Sequence, residues 1–193
     1  FLRLMRVLTI DEYNLEKDNI LQSIIDGAVF IHPTDTIYGI GCNAQISSSV
    51  KKVRELKSRI KNPFSVIAPS LEWVRENCIV SSEGEQWLKK LPGPYTLIFK
   101  LKNDKCVAKD VNVGFKTIGI RIPKHWIAKV AAEGEVPVVT TSVNKSGEEY
   151  MTSLDDLDDS LKEGIDFVLY EGEKEGKPSK IIDLTEKVKV IER

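Results

Sequence analysis

Apolar side chains recur mostly at three- and four-residue intervals through the first part of this chain, at Tyr13, Leu15, Ile20, Leu21, Ile24 and Ile25, and the run stops at Gly27. That spacing predicts one amphipathic helix with a glycine stop. The residues AVFIHP that follow are apolar until Pro33 and predict a buried strand. SSSVKKVRELKSR opens with serines suited to a helix N-cap and sets Val50, Val53, Leu56 and Lys57 along one side. A second helix is expected there, delivering Lys57 and Arg59 at its end.

PFSVIAP reads as a strand between prolines, SLEWVRENCIV and SEGEQWLKKL as two short helices, the second stopped by PGP at 92–94. YTLIFKLK alternates from Tyr95 to Lys102, the pattern of a strand with one wet face. Residues 103–116 show little periodicity and are expected to form a loop. TIGIRIP predicts a strand, KHWIAKVAAEGE a helix ending near Gly134, and VPVVTTSVN a strand opening into Ser142, Asn144, Ser146 and Gly147. SLDDLDDSLKEG predicts an acidic helix capped by Ser153. IDFVLYEG, SKIIDLT and KVKVIER close the chain as strands, with EGEKEGKPSK at 171–180 as a loop free to move. This order mixes βα alternation with neighbouring strands, so the fold class is α/β, an open mixed parallel and antiparallel sheet with flanking helices.

The chain has 193 residues without an internal repeat, which suits a single domain over 1–193. A net charge of -1 gives no global pull toward nucleic acid, so any anion site must come from a local cluster. No segment approaches the ~18 consecutive apolar residues of a membrane span, and FLRLMRVLTI is too short and too basic for a signal peptide, so a cytoplasmic location is expected. Cys42, Cys78 and Cys106 lack CxxC spacing and are joined by only two histidines, His32 and His125, which argues against a zinc cluster and for reduced thiols.

Four clusters place hydroxyl, amide or cationic groups beside Gly or Pro at strand ends. They are Thr34, Thr36, Tyr38 and Gly39; Lys57, Ser58 and Arg59; Thr140, Thr141, Ser142, Asn144, Ser146 and Gly147; and Ser179 with Lys180. In α/β sheets ligands bind beyond strand ends, so one shared cleft is the economical reading. Lys57 and Arg59 face one way only if the helix unwinds between them; they then suit a polyphosphate, and otherwise form a solvated cationic helix end. Ser142 and Asn144 can contact a ligand or close a turn on their own backbone. Both readings stand on the residues alone.

No GxxxxGK[ST], GxGxxG or GxSxG occurs, so the usual nucleotide cradles and a serine elbow are not indicated. His125 reads as a packing residue, and His32 could line the cleft. With no clear general base or nucleophile, positioning and electrostatics are left to carry any catalysis.

The motifs HPTDTIYGIGCNA, ELKSR, LPGPYTLIFK, TIGIRIP, TTSVNKSG and PSKIIDL together resemble, in order, the signatures of the YrdC family, the threonylcarbamoyl-AMP synthases, in their short single-domain form. The resemblance implies a twisted sheet with a concave basic cleft. It implies a nucleotidyltransferase that converts ATP, L-threonine and bicarbonate to threonylcarbamoyl-AMP and pyrophosphate, with Mg2+ held mainly by the ATP phosphates rather than by protein ligands. The product serves threonylcarbamoyladenosine modification of tRNA through a separate transferase complex.

Carried onto this chain, the resemblance sets Thr34, Thr36 and Tyr38 at the threonine and carbamate end, with glycines letting the backbone approach. It makes Lys57 and Arg59 the catalytic cations on the triphosphate, and Arg121 the anchor of the threonine carboxylate. Thr140, Ser142, Asn144 and Ser146 would meet ATP, while Ser179 and Arg193 would close on substrate and nucleotide. Ile60 stands where the family often has Pro, and Ala68 where some members have a threonine-contacting His. The rival readings are a double-stranded RNA-binding module and a paralogue of the same fold without synthase activity.

Overall fold

The computed structural model describes residues 5–191. Eleven strands form one sheet: β1 (Arg6–Leu8), β2 (Phe30–His32), β3 (Gly39–Gly41), β4 (Ser65–Ile67), β5 (Cys78–Ile79), β6 (Tyr95–Leu101), β7 (Thr117–Arg121), β8 (Val138–Ser142), β9 (Phe167–Leu169), β10 (Lys180–Asp183) and β11 (Lys189–Ile191). Their order is β1-β9-β2-β3-β8-β4-β7-β6-β10-β11, with β5 on the far end of β6. Four pairings are parallel, β1 with β9, β2 with β9, β4 with β7 and β6 with β10. The pairings around β3, β8, β5 and β11 are antiparallel, which is the mixed sheet expected.

The uninterrupted apolar runs are explained by helices on both faces. Ile31, Val66, Val139 and Val168 enter one core, beneath α3 (Ser47–Leu56), α4 (Leu71–Asn77) and α5 (Ser82–Leu88). Their chain neighbours Phe30, Ile67, Val138, Phe167 and Leu169 enter the other, with α1 (Ile10–Leu15), α2 (Lys17–Ile25) and α7 (Ala128–Gly134). Strands covered on both faces bury every residue, so they lose the alternation that marks a half-wet strand.

Several elements differ from the sequence expectation. The first helix is two: the chain breaks at Glu16 (φ -108°, ψ 17°). Tyr13 packs on Trp126 while Leu15, which the periodicity counts as buried, is 86% exposed. Thr9 caps α1 in a capping box with Glu12. The serines do not cap α3; Ser47 donates to Asp110 (2.6 Å) and Ser49 to the Gly27 carbonyl (2.7 Å), tying the helix to its neighbours instead. The expected loop at 103–116 contains α6 (Lys109–Asn112), a single turn too short to show a period. Ser153 does form a capping box with Asp156, but on a 3-10 turn (Leu154–Asp156); extended Leu157 then divides it from α8 (Asp159–Lys162). The short strands β1, β3 and β5 carry no clear pattern of their own and exist by pairing with stronger neighbours.

Candidate active site

Six consecutive strands, β3, β8, β4, β7, β6 and β10, bring polar residues to one end of the sheet. Register sets Gly39 opposite Ser142 and Ser65 opposite both Thr140 and Gly119. There they border a cavity of about 230 Å³ whose wall includes Tyr38, Arg59, Arg121, Thr140, Ser142 and Ser179. Four separate motifs thus do meet in one hollow. Ser65, Thr96 and Thr141 also line it, and the sequence reading did not single out Ser65 or Thr96. Their signal is a lone hydroxyl where an apolar strand begins or ends.

Arg121 is anchored from the opening motif. Its Nη2 donates to Asp35 Oδ1 (2.9 Å) and to Thr36 Oγ1 (3.1 Å). Thr34 Oγ1 lies 3.0 Å from Thr36 Oγ1 and donates to the Ile37 carbonyl at 2.7 Å. Because the Thr34 proton is committed to that carbonyl, Thr36 supplies the proton of the shared bond, so the hydroxyl chain runs in one direction from Arg121 to Ile37. Thr34 and Thr36 therefore stand behind the wall and hold Arg121.

Tyr38 is fully buried, and its hydroxyl points away from the cavity. It donates to the Gly172 carbonyl (2.6 Å) and accepts from Glu171 N–H (3.1 Å), and burial pushes its pKa up to about 12. The ring thus fastens the start of the strap 171–179, which ends at the cavity with Pro178 and Ser179. Ser179 Oγ and Thr96 Oγ1 are 2.7 Å apart. Halfway along, the strap crosses the opening motif so closely that a Cβ at Gly176 would overlap the Thr36 carbonyl.

The helix end unwinds as expected, through left-handed Ser58 (φ 50°), but its two cations separate. Arg59 borders the cavity, donating to the Pro63 carbonyl (2.9 Å) and lying 5.3 Å from the Phe64 ring centroid. Lys57 is 1% exposed and lies behind Ser142. Its ammonium bonds the Ser142 carbonyl, the Asn144 carbonyl (2.8 Å) and Asn144 Oδ1 (2.9 Å), one acceptor for each donor. Burial, followed by the Arg59 charge, lowers its pKa to about 7. Ser142 Oγ donates to Asn144 Oδ1 (2.6 Å) and Asn144 Nδ2 to the Glu148 carbonyl (2.6 Å), so Asn144 closes a local turn while Ser142 keeps a place on the cavity wall. Ser146 is exposed at the outer edge, its N–H on the Lys57 carbonyl (2.9 Å). Arg193 lies outside the described residues.

The glycines of YGIG answer to a protein group. A Cβ at Gly39 or Gly41 would come within 2.9 Å of the His32 ring, which fills the space that bare β3 leaves. His32 is fully buried; its Nδ1 lies 3.2 Å from the Pro33 carbonyl and its Nε2 has no partner among the described residues. Desolvation holds its pKa at about 4, so it is a neutral wedge beneath the site. His125 sits outside the cavity on Glu171 (2.9 Å), which also takes Trp126 Nε1 and Lys174.

A family model described as Telomere recombination (Sua5_yciO_yrdC) matches residues 22–193. A Methanocaldococcus jannaschii protein, provisionally assigned as a threonylcarbamoyl-AMP synthase, is 33% identical over 189 residues, 94% of this chain and 87% of that one. The Pyrococcus abyssi Sua5 structure complexed with L-threonine superposes with TM-score 0.83 at 29% identity, covering 95% of this chain and 55% of that one. This chain thus spans about half the length of the Pyrococcus protein. Escherichia coli YciO shares the fold, with TM-score 0.84 at 23% identity over 98% of this chain and 95% of that one.

Proposed function

The chain belongs to the Sua5/YciO/YrdC family, and from that premise we propose that it is a threonylcarbamoyl-AMP synthase, a nucleotidyltransferase acting on ATP, L-threonine and bicarbonate. The observation that carries this reading is the juxtaposition, in one cavity, of a guanidinium braced for a small carboxylate with a second guanidinium and a row of hydroxyls suited to phosphates.

In this reading Arg121 receives the threonine carboxylate and fixes which way the amine points. The amine adds to bicarbonate, water leaves, and the carbamate oxygen attacks the α-phosphorus, breaking its bond to the pyrophosphate oxygen. Arg59 faces the polyphosphate and offsets charge that moves toward the leaving group. Thr140 and Ser142 orient nucleotide oxygens, with Asn144, Ser146 and Arg193 as further nucleotide contacts. Lys57 acts at one remove, by holding the carbonyls of Ser142 and Asn144 in place. Among the described residues no carboxylate lines the cavity, and in this reading Mg2+ would enter as MgATP, neutralising phosphate charge. Ser179 and the strap above it would shield the carbamate from water.

The acyl adenylate is labile, so a transferase acting on tRNA is the expected consumer. Among the described residues no helix is long and apolar enough to cross a membrane. Purified protein with MgATP and bicarbonate should release pyrophosphate when L-threonine is added, and far less with L-serine, L-alanine or no amino acid. Equal release in all four would exclude the assignment. Binding of double-stranded RNA without any pyrophosphate release would favour the rival module.

A further inference from the structure

Asp35 sits at the centre of the opening motif, and each of its carboxylate oxygens has a separate task. Oδ1 takes Arg121 Nη2 at 2.9 Å, and Oδ2 takes the backbone N–H of Lys124, also at 2.9 Å. The pair is nearly dry, with 7% of the Arg121 side chain and 11% of the Asp35 side chain exposed. One short side chain therefore ties together the opening motif, the end of β7 and the turn leading to α7. The Thr36 hydroxyl reaches the same Nη2 at 3.1 Å, so Arg121 is held from one side by two successive residues while it also borders the cavity.

We propose that Asp35 is a positioning residue that sets the guanidinium of Arg121 for the carboxylate of the amino-acid substrate. A planar guanidinium meets a carboxylate only in a narrow range of orientations, and with both Nη2 protons taken by Asp35 and Thr36 the brace on that nitrogen sets the orientation of the whole plane, and so where substrate sits. The inference rests on the synthase reading for what the guanidinium holds, but not for how it is held. Asparagine offers one acceptor where aspartate uses two, so Asp35→Asn must give up either Arg121 or Lys124. Asp35→Glu keeps the charge and shifts it by a methylene.

Three measurements decide the matter. In steady-state assays both variants should raise the KM for L-threonine about tenfold, with kcat and the KM for ATP changed less than about threefold. In an Arg121→Gln background, Asp35→Asn should add nothing further to the threonine KM, since its effect passes through the missing guanidinium. In a crystal structure of Asp35→Asn, the Arg121 guanidinium should be displaced by about 1 Å or more, a shift large enough to matter for binding. An equal rise in both KM values, additive effects in the double variant, or an unmoved guanidinium would each overturn the proposal. If the wild type shows no threonine-dependent reaction, the synthase reading falls, and the crystal structure still decides whether Asp35 positions Arg121.

Discussion

At the scale of single residues, the KxR pair shows why side-chain type and spacing identify a site without assigning its parts. Lys57 and Arg59 are two positions apart, yet one is spent inside the protein on three oxygens and the other borders the cavity. Replacing Lys57 by Met should strand buried acceptors and cost about 3 kcal/mol of stability together with activity. Replacing Arg59 by Ala should lower turnover about a hundredfold while stability falls by less than about 1 kcal/mol. Thermal melts and pyrophosphate release on the same preparations separate the two; similar melts for both variants would contradict this division. His32 gives a pH test. Unfolded, its imidazole takes a proton near 6.5; folded, it resists until about pH 4. The unfolded state therefore binds more protons in that window, so this contribution is whole above pH 6.5 and is lost as pH falls, by about 3 kcal/mol at pH 4. Denaturant unfolding at pH 7, 5.5 and 4 should show that loss in the wild type, and a clearly smaller one in His32→Phe.

At the scale of elements, the strap 171–179 reaches the site at Pro178 and Ser179 and shows least in the sequence. It has no period, and much of its hold comes from backbone: the Tyr38 hydroxyl on Glu171 and Gly172, Lys174 N–H on the Thr152 carbonyl (2.9 Å), and the close crossing at Gly176, with the Glu171 carboxylate on His125 and Trp126 as its side-chain anchor. The cavity it borders is smaller than the ~300 Å³ at which pockets for drug-sized ligands begin, so in the synthase reading a nucleotide would extend beyond it. Tyr38→Phe removes one donor and one acceptor at the strap's root. It should speed proteolytic cutting within 171–179 and raise substrate KM, with the melting temperature little changed; unaltered cutting would show that the hydroxyl does not fasten the strap. The longer strands were legible because they are apolar runs bounded by Gly and Pro. The breaks at Glu16 and Leu157 were not, because a helical period can continue across a kink. The glycines of β3 were visible as anomalies, but only the fold shows that His32 occupies their space.

At the scale of the molecule, the sheet order turns scattered motifs into a site. Residues from β3 to β10 are far apart in sequence, and their convergence follows from six neighbouring strands ending on one side. Motif order together with strand ends was enough to expect a single hollow. What the sequence left open was depth: which polar groups face the hollow, and which, like Lys57, Thr34 and Asp35, stand behind it. Burial of that kind is decided by how the loop after β2 and the end of α3 fold back on the sheet, and by which donor finds which acceptor there. The central claim concerns what is made in the hollow. Incubation with MgATP, L-threonine and 13C-labelled bicarbonate, read by mass spectrometry, should yield an adenylate containing threonine and one labelled carbon, with pyrophosphate in equal amount. Pyrophosphate without a labelled threonine adenylate, or a labelled product formed equally from serine, would contradict the account.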